Sequence, residues 1–258
     1  MTWQLLLPSV FTLLLWWAST GLILYIDGLP RHTFKWTLSG AGGLWLLAMW
    51  QLRATAGDAS VRGAYIAFCA ALGVWAWHEM ALLMGLVTGP RRTACPPGAR
   101  GWSRVRYAIE AVLYHELALL LQFGLLGLML HDAANQVGLC SFAILYVMRL
   151  SAKLNVFLGV RNLNEKWLPP NLRYLHSYFR QRAANSLFPL SVICSTVLAG
   201  MAWQAALDPA SDAFHAAAGS FAATLFTLAT LEHGLMVLPL SADALWGWAW
   251  RSRARPAE

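Results

Sequence analysis

The chain alternates between long apolar stretches and short polar breaks that are rich in glycine and proline. Seven stretches are long enough to suggest helices that cross a membrane, because about 20 apolar residues span the hydrocarbon core. They cover residues 5–26, 36–52, 61–87, 107–130, 136–160, 187–206 and 214–238. Breaks such as Asp27-Gly28-Leu29-Pro30 and Asp208-Pro209 are turn and helix-stop signals, and they separate the stretches cleanly.

The second stretch, 36–52, carries the weakest signal. It is short, and Gly40, Gly42 and Gly43 lower its helix propensity. With this stretch included, the sequence predicts an all-α fold, a polytopic transmembrane helical bundle of about seven spans. We expect a single integral membrane domain over residues 1–258.

The distribution of Lys and Arg between the breaks predicts the orientation, since cytoplasmic loops are enriched in both. With seven spans, fifteen Lys and Arg residues fall on one side of the membrane, and only Arg53 and Arg62 fall on the other. The N-terminus is therefore expected outside and the C-terminus in the cytoplasm. The largest cytoplasmic loops are expected at about 88–106 and 161–186. An even number of spans would remove this pattern.

Composition strengthens the membrane interpretation. Only 12% of the 258 residues are charged and 58% are apolar, whereas a soluble domain has roughly a quarter of charged residues. The net charge of +7 does not indicate a nucleic-acid partner, because no soluble module carries a basic face. Membrane lipids are the expected surroundings, and the four cysteines lack the spacing of a metal site.

Ionisable side chains nevertheless lie inside several of these stretches. They include four carboxylates and two cations, at Glu79, Glu110, Glu116, Glu232, Arg149 and Lys153, together with His78, His115 and His233. A charge at mid-bilayer costs about 2.5–3.5 kcal/mol on the most lenient scale. Left unpaired, the six would cost roughly 15–20 kcal/mol, more than the ~5–15 kcal/mol by which proteins are typically stable. We therefore expect these groups to converge at one level, near the cytoplasmic ends of their helices.

Three interpretations of such a layer remain open. It can be a metal-free network of ion pairs that fixes helix packing. It can be an iron site, di-iron or mononuclear, because helical bundles take Glu and His ligands from several helices. Alternatively, His78, His115 or His233 can be an axial ligand of haem or a chlorin. The predicted metal ligands are His78, Glu79, Glu110, His115, Glu116, Glu232 and His233, with Tyr114, Tyr146, Arg149, Lys153 and Asn155 supporting them from behind.

Several segments resemble a known family. They are residues 19–35 (STGLILYIDGLPRHTFK), Tyr114-His115-Glu116, residues 149–179 (beginning RLSAKLNVFLGVRNLNEKWLPP), residues 184–189 (ANSLFP) and residues 231–248 (LEHGLMVLPLSADALWGW). Together they resemble the photosynthetic complex assembly proteins called PuhE, integral membrane proteins of phototrophic bacteria. The family has no established catalytic residues, so no residue role comes from the resemblance.

The resemblance implies a multi-pass protein of the bacterial inner, intracytoplasmic, membrane, linked to the neighbourhood of the reaction-centre H-subunit gene. We expect a factor for reaction-centre assembly and bacteriochlorophyll biosynthesis, whose partners are proteins of those pathways. One alternative is a redox subunit that oxidises quinol at a di-iron site and passes electrons to a biosynthetic oxygenase such as the aerobic cyclase. The other is a metal-free scaffold.

Overall fold

The fold is all-α. The computed structural model describes residues 2–163, 168–239 and 245–252. Within this part of the chain there is no β-strand, and the only strand-like pairing is an isolated bridge between Val160 and Gln181. The seven long helices are α1 Thr2–Asp27, α2 Phe34–Ala54, α3 Val61–Leu83, α4 Gly101–Leu130, α5 Val137–Leu158, α6 Leu187–Leu207 and α7 Ala213–Leu235.

The helices begin and end where the sequence supplies caps and breaks. The side chain of Ser60 accepts a hydrogen bond from the Gly63 backbone N–H at the start of α3, and Asp212 caps α7 in the same way through His215. Gly159, with a φ of 126°, ends α5 two residues before the predicted end of that stretch. Helix α4 begins six residues earlier than the predicted stretch, because its first turns carry arginines rather than apolar side chains.

Six of the seven long helices in the described chain have the length and apolar composition of membrane spans. The exception is α2, which is 21 residues long but contains three glycines and Gln51. The polytopic helical bundle is therefore confirmed, with six rather than seven spans by composition. The orientation depends on counting α2 and stays a prediction. Of the arginines and lysines on which it rests, Lys166, Arg253 and Arg255 lie outside the described residues.

Helices α3 and α7 form the centre of the bundle. In each of them 56% of the most apolar window is buried, against 17–33% in the other four candidate spans. The Phe68 ring of α3 stacks on the Phe221 ring of α7 with a centroid distance of 4.3 Å. The outer helices instead expose large apolar side chains such as Leu121 and Leu128, as expected for a surface in contact with lipid.

Two short 3₁₀ segments close the ends of the bundle. The segment Pro170–Tyr178 buries Leu172, Leu175 and Tyr178, which share one face because a 3₁₀ helix repeats every three residues. The segment Ala249–Ser252 follows Trp246, which is 2% exposed and packs edge-on against Trp16 of α1. Trp246 is thus part of a packed cluster with Leu24 and Trp16 of α1.

Candidate functional site

An ion pair joins α3 to α5 in the interior of the bundle. The Nη2 atom of Arg149 donates a hydrogen bond to Oε2 of Glu79 over 3.0 Å, and the Glu79 side chain is only 8% exposed. The second carboxylate oxygen, Oε1, has no hydrogen-bond partner in the described chain, and it lies 4.0 Å from Nε2 of His115. Glu79 is therefore held on one side by a cation and left open on the other.

A second ion pair lies one helical turn further along α5. Lys153 Nζ lies 2.7 Å from Oε1 of Glu116 on α4, and both side chains are about a quarter exposed. Residues four apart share one face of a helix, so Arg149 and Lys153 point the same way. One face of α5 thus supplies both cations, and it meets a carboxylate from α3 and a carboxylate from α4.

Glu232 of α7 completes the group of carboxyl groups. Its Oε1 accepts a hydrogen bond of 3.0 Å from the indole Nε1 of Trp16 on α1. It interacts electrostatically with Arg149, although within the described residues no Lys or Arg lies at ion-pair distance from it. We call Glu79, Glu116, Arg149, Lys153 and Glu232 the charged layer. It holds three carboxyl groups and two cations.

The segment 88–91 is inserted against α4 beside this layer. The backbone N–H of His115 donates to the carbonyl of Thr88 over 2.9 Å, and the Arg91 N–H donates to the carbonyl of Glu110. Gly89 lies so close that an added Cβ would be 2.0 Å from the Glu110 carbonyl oxygen. The imidazole of His115 is fully buried, and neither ring nitrogen has a hydrogen-bond partner among the described residues.

The charged layer lines a large cavity. This cavity has a volume of about 580 Å³, lies between α1, α3, α4, α5 and α7, and is walled mainly by apolar side chains. All five residues of the charged layer contribute to the wall, as do Trp16 and Trp246. The arrangement can therefore accept an apolar molecule and offer donors, acceptors and charge to its polar part.

The other predicted histidines lie in separate polar contacts. His78 of α3 faces the side-chain oxygen of Gln122 at 3.4 Å, and that oxygen also accepts a hydrogen bond from Trp45. His233 of α7 lies 2.9 Å from the Ser151 hydroxyl, with its other nitrogen on the Ala229 carbonyl. Each imidazole thus has its own helix-joining partners outside the charged layer.

Three further predicted residues stand apart as well. Glu110 pairs with Arg106 over 3.1 Å, one turn back on the outer side of α4, so it does not join the layer. The reason is helical phase, since Glu110 is rotated by about 120° from Glu116 at 100° per residue.

Tyr114 is exposed, and Asn155 is buried in a hydrogen-bonded group with Ser191 between α5 and α6. Tyr146 interacts electrostatically with Glu116 and packs against Phe123.

The predicted metal ligands do not form one close group in the described chain. Within the described residues, no three side chains of the His, Cys, Asp or Glu type are grouped closely enough to hold a metal ion. Arg149 and Lys153 already neutralise one oxygen each of Glu79 and Glu116. Iron binding stays a prediction. The ring nitrogens of His115, Oε1 of Glu79 and Oε2 of Glu116 are the buried atoms of the predicted ligands that have no hydrogen-bond partner in the described chain.

Comparison with known proteins places the chain in a family. A family model described as "Protein of unknown function (DUF3623)" matches residues 2–257. The chain belongs to the DUF3623 family. A relative from Rhodobacter capsulatus, described as "Uncharacterized 30.4 kDa protein in puhA 5'region", is 39% identical over 261 residues, which cover 98% of this chain and 93% of the relative. No solved structure matches the chain significantly.

The match to DUF3623 spans the whole charged layer, but the sequence pattern missed several of its neighbours. Trp16 was one of 14 tryptophans in an apolar protein, and nothing in the spacing marked it as a partner of Glu232. Gln122 could have been found, because a polar amide in the middle of an apolar helix needs a partner. Asn185, in the segment ANSLFP, accepts from the first N–H groups of α6 and donates to the Gly159 carbonyl, a capping role that its position before the helix indicated.

Proposed function

We propose that this protein is a membrane-embedded factor for reaction-centre assembly and bacteriochlorophyll biosynthesis, and that it works by binding a hydrophobic molecule with a polar head group in its cavity. The charged layer would hold the polar head, and the apolar walls would hold the remainder. The membrane in question would be the photosynthetic inner membrane of a phototrophic bacterium.

The observation that carries the proposal is the cavity of about 580 Å³. Pockets for small molecules and cofactors typically measure about 300–1,000 Å³ and combine apolar walls with a few converging polar groups. This cavity has both features, since its wall is mainly apolar and its polar groups are concentrated in the charged layer.

The open polar atoms support a ligand at this place. Oε1 of Glu79 and Oε2 of Glu116 are buried and have no hydrogen-bond partner in the described chain. Buried polar atoms without partners are costly, so they usually bind ordered water or a ligand. Hydroxyl or N–H donors of a head group would satisfy these oxygens.

The association with photosynthesis rests on relatives. The Rhodobacter capsulatus relative is described by its position in the 5' region of puhA. That position agrees with the resemblance to PuhE, which implies the neighbourhood of the reaction-centre H-subunit gene. Proteins of reaction-centre assembly or bacteriochlorophyll biosynthesis are accordingly the proposed partners.

Purification in mild detergent, followed by solvent extraction and mass spectrometry, tests the ligand. We expect a lipophilic molecule that co-purifies with the natural protein and is lost from Glu232→Gln and Arg149→Met variants. Glu110→Gln is the matched control, because its carboxylate pairs with Arg106 away from the cavity. Equal recovery of the molecule from all four proteins would contradict the proposal.

Genetic complementation tests the pathway. Deletion of the gene in a phototrophic host should lower bacteriochlorophyll content and the yield of reaction centres. Restoration by the natural gene and by Glu110→Gln, but not by the cavity variants, would link the defect to the charged layer. Normal pigment and reaction-centre levels in the deletion strain would overturn the pathway assignment.

A second candidate function is quinol oxidation, with electrons delivered to a bacteriochlorophyll-biosynthetic oxygenase such as the aerobic cyclase. The charged layer has one more carboxyl group than cations, and Glu232 is the one without an ion-pair partner in the described chain. A quinol that becomes a quinone releases two protons and two electrons, so it needs a proton acceptor and an electron acceptor. In this function Glu232 would take one proton, the second proton would pass to water, and a di-iron centre near His115 would have to take the two electrons, one on each iron.

Iron analysis and absorbance spectroscopy separate the two candidates. Stoichiometric iron that is reduced by a quinol analogue and lost on Glu116→Ala would favour the redox function. A Soret band would instead indicate haem or a chlorin at a histidine. Protein that contains neither, together with a bound lipophilic molecule and an assembly partner, would favour the first candidate.

A further inference from the structure

A second, smaller pocket lies at one end of the bundle, away from the charged layer. Its volume is about 220 Å³. Arg31, which follows α1, and Arg92, which follows α3, lie on its rim, and the 3₁₀ segment Pro170–Tyr178 forms one wall. The described lining includes two arginines and no acidic residue.

Within the described chain, no hydrogen bond or ion pair involves the guanidinium group of Arg31 or Arg92 on the rim. The neighbouring Arg91, in contrast, donates to the Tyr178 hydroxyl over 2.8 Å and to the Ala94 carbonyl, so it is used to fix the loop. Arg91 therefore has a structural role that Arg92 lacks.

The inner wall of this pocket provides neutral polar groups. Thr88, Asn171 and Tyr174 line it. Burial raises the pKa of the Tyr174 hydroxyl, so this group stays protonated and remains a hydrogen-bond donor at neutral pH. Two cations and a protonated hydroxyl without a carboxylate form a surrounding that favours an anion.

The backbone keeps Asn171 in place. Its Nδ2 atom donates to the Leu83 carbonyl over 2.9 Å, at the end of α3. Gly85 has a φ of 79°, and an added Cβ would lie 2.9 Å from that same Nδ2 atom. The turn after α3 thus needs glycine for its conformation and for its close approach to the pocket wall.

The position of the pocket indicates the source of the anion. Arg31 and Arg92 follow the ends of two membrane helices, so both lie at the level where lipid head groups are expected. In the predicted orientation this is the cytoplasmic side, where Lys and Arg attract anionic lipids. Arginine is well suited to phosphate because its planar guanidinium can make two parallel hydrogen bonds to it.

We propose that the pocket between Arg31 and Arg92 is a binding site for a phosphate group, supplied by the head group of an anionic membrane lipid. The pocket, at about 220 Å³, is smaller than the typical small-molecule site of about 300–1,000 Å³, so it fits a head group and not a whole lipid. The acyl chains would extend into the bilayer. The pocket shares Leu172 of its wall with the cavity, but the proposed lipid site does not rest on the function proposed for the cavity.

Thermal unfolding of the purified full chain in mild detergent tests this site. The additions are short-chain phosphatidylglycerol, short-chain phosphatidylcholine and inorganic phosphate, each at the same ionic strength. We expect phosphatidylglycerol to raise the Tm of the natural protein, and the Arg31→Gln/Arg92→Gln variant to lose this rise. The matched control is Arg53→Gln/Arg62→Gln, which removes two exposed arginines at the opposite ends of α2 and α3 and should keep the rise.

The pattern across the additions identifies the source of the phosphate. A rise with phosphatidylglycerol alone supports a lipid head group, whereas an equal rise with inorganic phosphate supports the phosphate site and assigns it to a soluble anion. An equal rise with phosphatidylcholine, or a rise that persists in the Arg31→Gln/Arg92→Gln variant, would overturn the proposal. If that variant unfolds without any addition, the single Arg92→Gln change, at an exposed side chain, should still reduce the rise at least by half.

Discussion

Trp16 and Glu232 join the first and the last long helix of the chain through one hydrogen bond of 3.0 Å, across 216 residues of sequence. The indole N–H is a donor only, so this contact fixes which side of α1 faces α7. Trp16 also packs edge-on against Trp246, and both rings line the cavity. The C-terminal segment, α1 and the carboxyl group of α7 therefore form one wall of the candidate site.

The first prediction concerns this bond. Trp16→Phe keeps an aromatic ring but removes the donor, so Glu232 loses its hydrogen-bond partner in a partly buried place. Loss of a bond to an ionisable group should lower the free energy of unfolding by about 1.5–3 kcal/mol. Denaturation of the purified variant in mixed micelles would measure the change.

Trp203→Phe is the control for Trp16→Phe. Trp203 donates to the Thr227 hydroxyl over 3.1 Å between α6 and α7, so its removal breaks a neutral bond. Neutral bonds between membrane helices contribute about 0.6 kcal/mol on average. Equal losses for the two variants would show that the carboxyl group of Glu232 adds nothing to the bond.

The fold could be predicted from the sequence to a large degree because the membrane restricts the choices. Long apolar runs have to become helices in lipid, and breaks such as Asp208-Pro209 have to become turns. A similar argument predicted that the ionisable groups converge, since unpaired charges in the membrane are too costly, and in the structure Glu79 pairs with Arg149. The spacing of Arg149 and Lys153 also placed both cations on one face of α5.

The parts of the site that the sequence did not reveal depend on packing. Gly89-Pro90 lies in the loop predicted at about 88–106, and nothing in its composition showed that it inserts against α4. A cavity forms where side chains from different helices leave space between them, so no pattern in the sequence predicts it. Glu110 was predicted to belong to the layer, but it pairs with Arg106 instead. Arg106, four residues earlier on the same helix, was a local partner that the sequence already offered.

A second prediction concerns the ion pair between Glu79 and Arg149 and tests whether the two side chains interact directly. Arg149→Met leaves Glu79 without its cation in a place where the carboxylate side chain is 8% exposed. Breaking a buried pair costs about 3–5 kcal/mol, and we expect the lower end because Arg149 lines an open cavity. The double variant Glu79→Met/Arg149→Met should recover more than half of the loss, since no charge is then left alone. A strictly additive double-mutant cycle would argue against a direct interaction.

A third prediction compares two carboxylates of α4. Glu110→Gln removes a surface pair with Arg106, so the free energy of unfolding should change by less than about 0.5 kcal/mol. Glu116→Gln leaves the partly buried Lys153 without its carboxylate. This change should lower the free energy of unfolding several times more than Glu110→Gln does. Any bound ligand or iron should be retained in the first variant and lost in the second. Loss of the ligand or iron from both variants would show that Glu110 contributes to the site.

The fourth prediction concerns the segment inserted beside α4. Gly89→Ala adds a Cβ that would lie 2.0 Å from the carbonyl oxygen of Glu110 and 2.6 Å from the carbonyl carbon of Ala111. Both are backbone atoms, so the strain cannot be relieved by turning a side chain, and the segment has to move away from the helix. We expect loss of the hydrogen bond between the Thr88 carbonyl and the His115 N–H, and with it a lower Tm and altered ligand or iron content.

Gly124→Ala, on α4 itself, is the control for an added methyl group where space is open. An added Cβ at position 124 has no neighbouring atom within 4 Å, and alanine is the better helix former, so the Tm should stay the same or rise. Amide hydrogen exchange adds a local readout, because the His115 N–H should exchange faster in Gly89→Ala and at the natural rate in Gly124→Ala. Unchanged exchange at His115 in the Gly89→Ala protein would show that the inserted segment does not hold this part of α4, and the position of His115 beside Glu79 would then need another cause.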